Sequence, residues 1–507
     1  MTESGQRFCT ACGTRLAPGR PFCTHCGKKL AGAGAPAVSA PGGNRAAFCV
    51  TDTRKLSRLL GDGVHGALAG YLDDAKEHGV DYAIVDLAGL KQDYRLEDVI
   101  SFLKARVQAH GGTSAEGGPA VLILGDANIV PMAVFANQVD GDPDQDLDTD
   151  YPFAALCTDD PWAAPGGGLG PLLPVGRLPL GAGFGLADLE GYRKALRAFA
   201  TTGNPRTLLG LSAQAWQPAS EQVFRSIEGE GLQVSPPIGS AADTEQLIRA
   251  NPDFLYFNLH GSDQDPGWFG QQAADYPRVV VPGTLARSSR PVVVGVEACY
   301  GTRFQGLDKN TSILLHALAT GCVALAGSSR IAFGPPSPPI KLADVVIQGF
   351  LQAMIRGKPA GMALLQGRAA VLEDGSDRAR QRKTFLAFNL FGDPLAALPA
   401  SGKSAGAAAR PGPLALAPMK LPMPDVLGMV RTAIAGSQMR VKLLMDAHVG
   451  RAHPGLKGVE PAFYQGRTAS GGELYRFVYS RKAGPLLDLV MLDAYPDGTL
   501  RAELLGK

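Results

Sequence analysis

Short apolar runs alternate with longer amphipathic stretches through most of the chain. Ala47–Thr51, Tyr82–Asp86, Ala120–Gly125, Thr207–Ser212, Phe254–Asn258, Val292–Val296 and Val323–Gly327 have the length and near-continuous hydrophobicity of buried strands. Between them, the stretches around 55–78, 96–110, 186–201, 218–229, 242–250, 311–320, 342–356 and 360–372 have helical spacing. This alternation predicts an α/β fold over 45–400, a mostly parallel sheet with helices on both faces. In such sheets chemistry gathers outside the carboxyl ends of the strands. Further on, 422–449 reads as helical. Alternating segments near Ala462–Gly466, Glu473–Ser480, Leu486–Asp493 and Thr499–Leu505, with a Pro496-Asp497-Gly498 turn, predict a four-strand meander. That makes 422–507 a small C-terminal α+β module.

Composition refines this outline. Residues 31–44 and 401–421 are rich in Gly, Ala and Pro and read as flexible linkers. Lys plus Arg total 49 against 47 Asp plus Glu, which excludes a polyelectrolyte that coats nucleic acid or anionic membrane. No run approaches the roughly 20 apolar residues of a membrane helix. The opening MTESGQRFCT offers no apolar stretch for export. The expectation is a soluble, cytoplasmic protein without a membrane partner.

Residues 1–30 hold four of the eight cysteines, in two Cys-x-x-Cys-Gly units: Cys9, Cys12, Cys23 and Cys26. Two such turns supply four thiolates, the donor set of a tetrahedral structural zinc. A segment this short has no room for a core, so the metal carries its folding. A pair of redox dithiols is the weaker alternative, because no βαβ pattern surrounds them. His25 is surplus to the four sulfurs. The segment resembles the zinc ribbons at the N-termini of many bacterial proteins.

Two strand ends carry chemistry. Phe254–Asn258 runs on into Leu259-His260-Gly261, and Val292–Val296 runs on into Glu297-Ala298-Cys299-Tyr300-Gly301. If these strands are neighbours about 4.8 Å apart, imidazole and thiol emerge on one edge. A thiol is only a few per cent ionised at neutral pH, and a nearby base raises the reactive fraction. His260 could then protonate a leaving amine. The N–H groups of Gly261 and Cys299 are candidate oxyanion donors, and Gly301 allows the chain to turn behind the sulfur.

These residues resemble the caspase, legumain and gingipain clan of cysteine peptidases. Leu147–Ala154 (LDTDYPFA) followed by Pro174–Pro179 (PVGRLP), together with Thr311–Arg330 and Phe388–Pro394 (FNLFGDP), is similar to the gingipain branch. The resemblance spans roughly 80–398. It implies a caspase-like α/β fold and peptide-bond hydrolysis through a thioester, with Cys299 as nucleophile, His260 as the catalytic histidine and no cofactor in catalysis. It also implies protein or peptide substrates, cleaved after basic residues. The acidic pocket such cleavage needs would draw on Asp148, Asp150, Asp159, Asp160 or Asp263.

Blander readings accompany these. Cys299 could be a core hydrophobe, as Cys49, Cys157 and Cys322 are expected to be. His316 reads as a packed helix residue, and His65, His78, His110, His448 and His453 as surface residues. Asp140–Asp150 reads as a solvated acidic loop, since no register gives the Gly and Glu of an EF-hand. Gly166–Gly170 lacks the Lys-Ser/Thr of a phosphate loop. The rival function is an inactive caspase-like scaffold whose ribbon binds a protein partner or nucleic acid. Arg7, Arg15, Arg20, Lys28 and Lys29 would serve the latter, though without a stacking array nucleic acid is disfavoured. The C-terminal module is a second candidate partner surface, and Arg410 and Lys420 are candidate self-processing positions.

Overall fold

Ten strands form one sheet whose two halves run in opposite directions. In spatial order they are Val80–Asp86, Arg45–Thr51, Ala120–Leu124, Val175–Leu178, Phe388–Gly392, Cys322–Ser328, Val292–Val296, Phe254–Asn258, Leu208–Ala213 and Gln233–Ser235. Every neighbouring pair is parallel except Cys322–Ser328 against Phe388–Gly392, which is antiparallel. The carboxyl ends of the two halves therefore face opposite edges. The computed structural model describes residues 45–507 apart from 110–118, 164–171, 202–206, 287–289, 374–376, 400–425, 437 and 469. The ribbon cysteines Cys9, Cys12, Cys23 and Cys26, both predicted linkers, His110 and Gly166–Gly170 lie outside the described residues.

The expected α/β architecture is present. Phe254–Asn258 and Val292–Val296 have the predicted bounds and are buried throughout, as strands covered on both faces must be. Helix Ala343–Ile355 packs its side chains on Val292–Val296, where Gly295 leaves room for Ile347 and Leu351. Three strands of this sheet went unread, Val175–Leu178, Gln233–Ser235 and Phe388–Gly392, and so did helix Arg378–Ala387. The predicted 55–78 helix is two helices, Thr53–Leu60 and Gly63–Glu77, parted at Gly61 with φ of 83°.

The C-terminal residues form an antiparallel sheet in the order Val426–Arg431, Ala462–Thr468, Glu473–Ala483, Leu486–Ala494, Leu500–Gly506 and, last, Phe333–Gly334. One prediction fails here. The 422–449 helix is a strand, Val426–Arg431, then a helix, Gln438–Ala452. Met429 is buried and Val430 exposed, the alternation of an edge strand, and Gly436 at φ of 56° separates the two elements. Phe333–Gly334 follows the Cys322–Ser328 strand of the main sheet, so this pairing ties the two sheets together. Arg45–Lys507 is one compact unit. No helix among the described residues is long and apolar enough to cross a membrane.

Candidate active site

Register brings the two candidate residues together. Val296 pairs with Phe257 in the parallel ladder, and the Glu297 N–H donates to the Phe257 carbonyl at 2.9 Å. His260 and Cys299 each lie three residues beyond that pair, in step with it but past the end of the ladder. The contact between the two segments falls at the residue after the histidine: a Cβ on Gly261 would strike the Cys299 carbonyl, so only glycine fits.

Backbone strain marks the position after the sulfur. Tyr300 has φ of 53°, which a non-glycine residue adopts at a cost of about 1–3 kcal/mol. It is fixed by its N–H on the Arg330 carbonyl at 3.0 Å and its hydroxyl on Asp144 at 2.6 Å. The sharp turn therefore falls on Tyr300. Gly301 is needed for space instead, since a Cβ there would sit 2.9 Å from the Ala298 carbonyl.

His260 is buried and held on every side. Its main chain exchanges hydrogen bonds with Phe269 at 2.8 and 2.9 Å, and its ring lies 4.5 Å from Trp216 and 5.4 Å from Tyr276, centroid to centroid. Nε2 is 2.7 Å from Gln271 Oε1. The Gln271 amide donates to Tyr276 at 3.1 Å and to the Ala273 carbonyl at 3.2 Å, so its oxygen must face the imidazole. An amide oxygen only accepts, which assigns the proton to Nε2 and leaves Nδ1 as the basic nitrogen. Tyr276 in turn donates to Asp488 of the C-terminal sheet. Burial pulls the His260 pKa down, the Gln271 bond and Asp488 oppose this, and Lys507 adds to it.

The sulfur is covered. Cys299 Sγ accepts from the Ala332 N–H at 3.4 Å, and burial pushes its pKa up to about 12, so the thiol is protonated. No hydrogen bond joins it to His260 among the described residues. What lies across it is the chain's own C-terminal strand: the Cys299 N–H donates to the Lys507 main-chain oxygen at 2.7 Å. The Lys507 ammonium is fully buried, pairing with Glu297 and, at 2.6 Å, with Asp344 at the start of helix Ala343–Ile355. Its Nζ stands 5.8 Å from the centre of the Trp216 ring. A cavity of about 290 Å³ beside His260 is lined by Leu505 and Gly506 of this strand, and a separate one of about 210 Å³ lies beside Cys299.

The acidic groups around the Lys507 ammonium are Glu297 and Asp344; of the aspartates named from sequence, Asp148 and Asp263 line a separate cavity beside Tyr300. Asp150 is forked by the buried Arg177, with Nε–Oδ2 at 2.9 Å and Nη2–Oδ1 at 2.6 Å. Asp148 pairs with Arg330 at 2.6 Å, and Asp159, Asp160 and Asp263 are exposed. The acidic stretch Asp140–Asp150 is not a solvated loop: Asp142 and Asp144 both pair with the buried Lys383 from helix Arg378–Ala387. His448 and His453 are half-buried and flank Glu503 of the last strand, where isolated surface residues were expected. Cys49 and Cys322 are core residues as expected, and Cys157 is half-buried.

A histidine and a cysteine side by side at the carboxyl edge of a mostly parallel sheet define a candidate thiol hydrolase site. The comparisons narrow the class. Residues 260–399 match peptidase family C25, and residues 6–30 match a zinc-ribbon domain. The gingipain-like resemblance is established over the segment that carries both His260 and Cys299, and the zinc ribbon over the segment that carries the four cysteines. Four thiolates are a donor set that suits a structural zinc. Among solved structures, the complex of Porphyromonas gingivalis RgpB pro- and mature domains is 10% identical at a TM-score of 0.48, over 90% of this chain and 99% of that one. The Saccharomyces cerevisiae separase–securin complex is 13% identical at 0.29, over 45% of this chain and 14% of that one. Both are too distant to assign chemistry. No curated protein matches the chain.

Proposed function

We propose that this protein is a cysteine endopeptidase that cleaves after basic residues. The observation that supports the reading is the close approach of Gly261, the residue after His260, to the Cys299 carbonyl, three residues beyond the paired ends of neighbouring parallel strands. His260 Nδ1 takes the thiol proton, and the thiolate adds to the substrate carbonyl. The Cys299 N–H, with that of Gly261, holds the oxyanion. His260 then protonates the departing amine as the C–N bond breaks, leaving a thioester that water hydrolyses with His260 as base. Glu297 and Asp344 supply the negative charge that a buried basic side chain requires.

A peptide library read with the parent protein and Cys299→Ala tests this. Cleavage lost in the variant is expected, and full cleavage by Cys299→Ala would end the reading. The rival scaffold reading gains if no peptide is cut and an electrophile carrying a lysyl side chain leaves Cys299 unmodified.

A further inference from the structure

The segment Leu500–Lys507 sits in this site as a peptide would. Strand Leu500–Gly506 pairs on one side with Leu486–Ala494 and on the other with Phe333–Gly334, where Phe333 faces Gly506 and Gly334 faces Leu505. The Lys507 N–H continues that ladder to the Ala332 carbonyl at 2.9 Å. An extended peptide recognised by strand addition makes this pattern of main-chain bonds, with pockets reading its side chains.

Three further contacts coincide at Lys507. Its main-chain oxygen rests on the Cys299 N–H, the donor a reacting carbonyl would use. Its side chain descends into a closed pocket floored by Glu297 and Asp344 and walled by Trp216. Gly334 is shaped around it, since a Cβ there would collide with Lys507 Cε and Nζ. The two residues before it, Leu505 and Gly506, line the cavity beside His260.

We propose that Leu500–Lys507 is a built-in pseudosubstrate, a strand that inhibits the peptidase in cis with Lys507 in the position of the residue before the cleaved bond. The proposal rests on the peptidase reading and adds its regulation. It explains why the site reads as closed: the same strand that fills the lysine pocket covers the thiol. An incoming peptide must displace this strand to reach Phe333–Gly334, Cys299 and the acidic pocket.

The test is hydrolysis of a peptidyl-lysine fluorogenic amide by the parent and by Lys507→Ala. The variant is expected to be at least tenfold faster. A synthetic octapeptide of sequence LRAELLGK should inhibit it competitively, while the same peptide ending in Ala should not. Equal rates in an active parent and variant, or no inhibition by the octapeptide, would overturn self-inhibition and leave the peptidase intact.

Because Lys507→Ala strands two buried carboxylates and could fail to fold, the unaltered protein provides a second measurement. Labelling Cys299 with a lysyl chloromethyl ketone should raise hydrogen exchange across 500–507, by displacing the strand. Labelling with no change in that exchange would refute the proposal. A parent and variant both silent toward amide and ketone would count against the peptidase reading itself.

Discussion

Gln271→Leu tests how the base is poised, because leucine keeps the bulk and removes the oxygen that His260 Nε2 faces at 2.7 Å. A hydrogen bond between neutral groups contributes about 1 kcal/mol net, and one to a charged partner about 1.5–3 kcal/mol. His260 is neutral before it takes the thiol proton and an imidazolium afterwards. Gln271 therefore favours the charged state by an extra ~1–2 kcal/mol, a rate factor of roughly 5–30. The expected result is a fall of that size in kcat with little change in KM, in the parent and in the Lys507→Ala background alike. The pH profile supplies a readout that loss of packing would not. Burial lowers the His260 pKa and the Gln271 bond raises it, so removing the bond lowers it further. The acidic limb of kcat/KM should move to lower pH in Gln271→Leu. Gln271→Glu, which places an anion against the ring, should move it to higher pH. A Gln271→Leu protein within twofold of its parent, with an unmoved limb, would refute both the proton assignment and the positioning role.

Other outcomes follow from the buried charges and the ribbon. Arg177→Met leaves Asp150 buried without its cation and frees the Gly125 and Val130 carbonyls that Nη1 meets at 2.7 and 2.8 Å. Urea unfolding should show a loss of about 3–5 kcal/mol, and a loss below about 1 kcal/mol would contradict the pairing. Burial alone would raise the Asp493 carboxyl, but Arg476 and Arg380 hold it down at about 2. A carboxyl lowered in the folded state stabilises above its unfolded value and loses that contribution as pH falls through the folded one. Roughly 2–3 kcal/mol should thus disappear between about pH 4 and pH 2, and Asp493→Asn should flatten that part of the stability curve. Chelation should strip one zinc per chain, counted by elemental analysis, without slowing peptide cleavage. A parallel loss of activity would tie the metal to the chemistry.

Legibility in the sequence followed burial. Phe254–Asn258 and Val292–Val296 could be read to the residue because both faces of each strand are covered, which leaves the runs without a polar residue until Asn258. His260 and Cys299 were visible because they stand where those runs stop. Val175–Leu178 escaped because it is four residues long and contains Gly176 and Arg177, the arginine being neutralised by an aspartate from elsewhere in the chain. The antiparallel seam was beyond sequence reading, since its pairing of Cys322–Ser328 with Phe388–Gly392 joins segments separated by three helices. The lysine pocket was half-visible. Glu297 lies inside the Glu-Ala-Cys motif, but its partners arrive from far off, with Lys507 separated by 210 positions from Glu297 and by 163 from Asp344. No local pattern announces a contact of that range.

The C-terminal sheet reaches both halves of the candidate chemistry, which constrains how either can be probed. Asp488, on strand Leu486–Ala494, ends the chain of bonds that starts at His260 and passes through Gln271 and Tyr276. Lys507, following the adjacent strand, fills the pocket and takes the Cys299 N–H. One strand supports the proposed base while its neighbour covers the proposed nucleophile. Deleting 422–507 would remove support and block together, and the two effects act on the rate in opposite directions. A truncated protein of unchanged activity would then mean nothing. Lys507→Ala leaves the Asp488, Tyr276 and Gln271 bonds in place, and Gln271→Leu leaves Lys507 in its pocket, so the pair separates what truncation merges. If the two act independently, their effects on log kcat/KM should add in the double variant. Departure from additivity would show that releasing the strand also shifts the Asp488–Tyr276 contact, and that the block and the base move together.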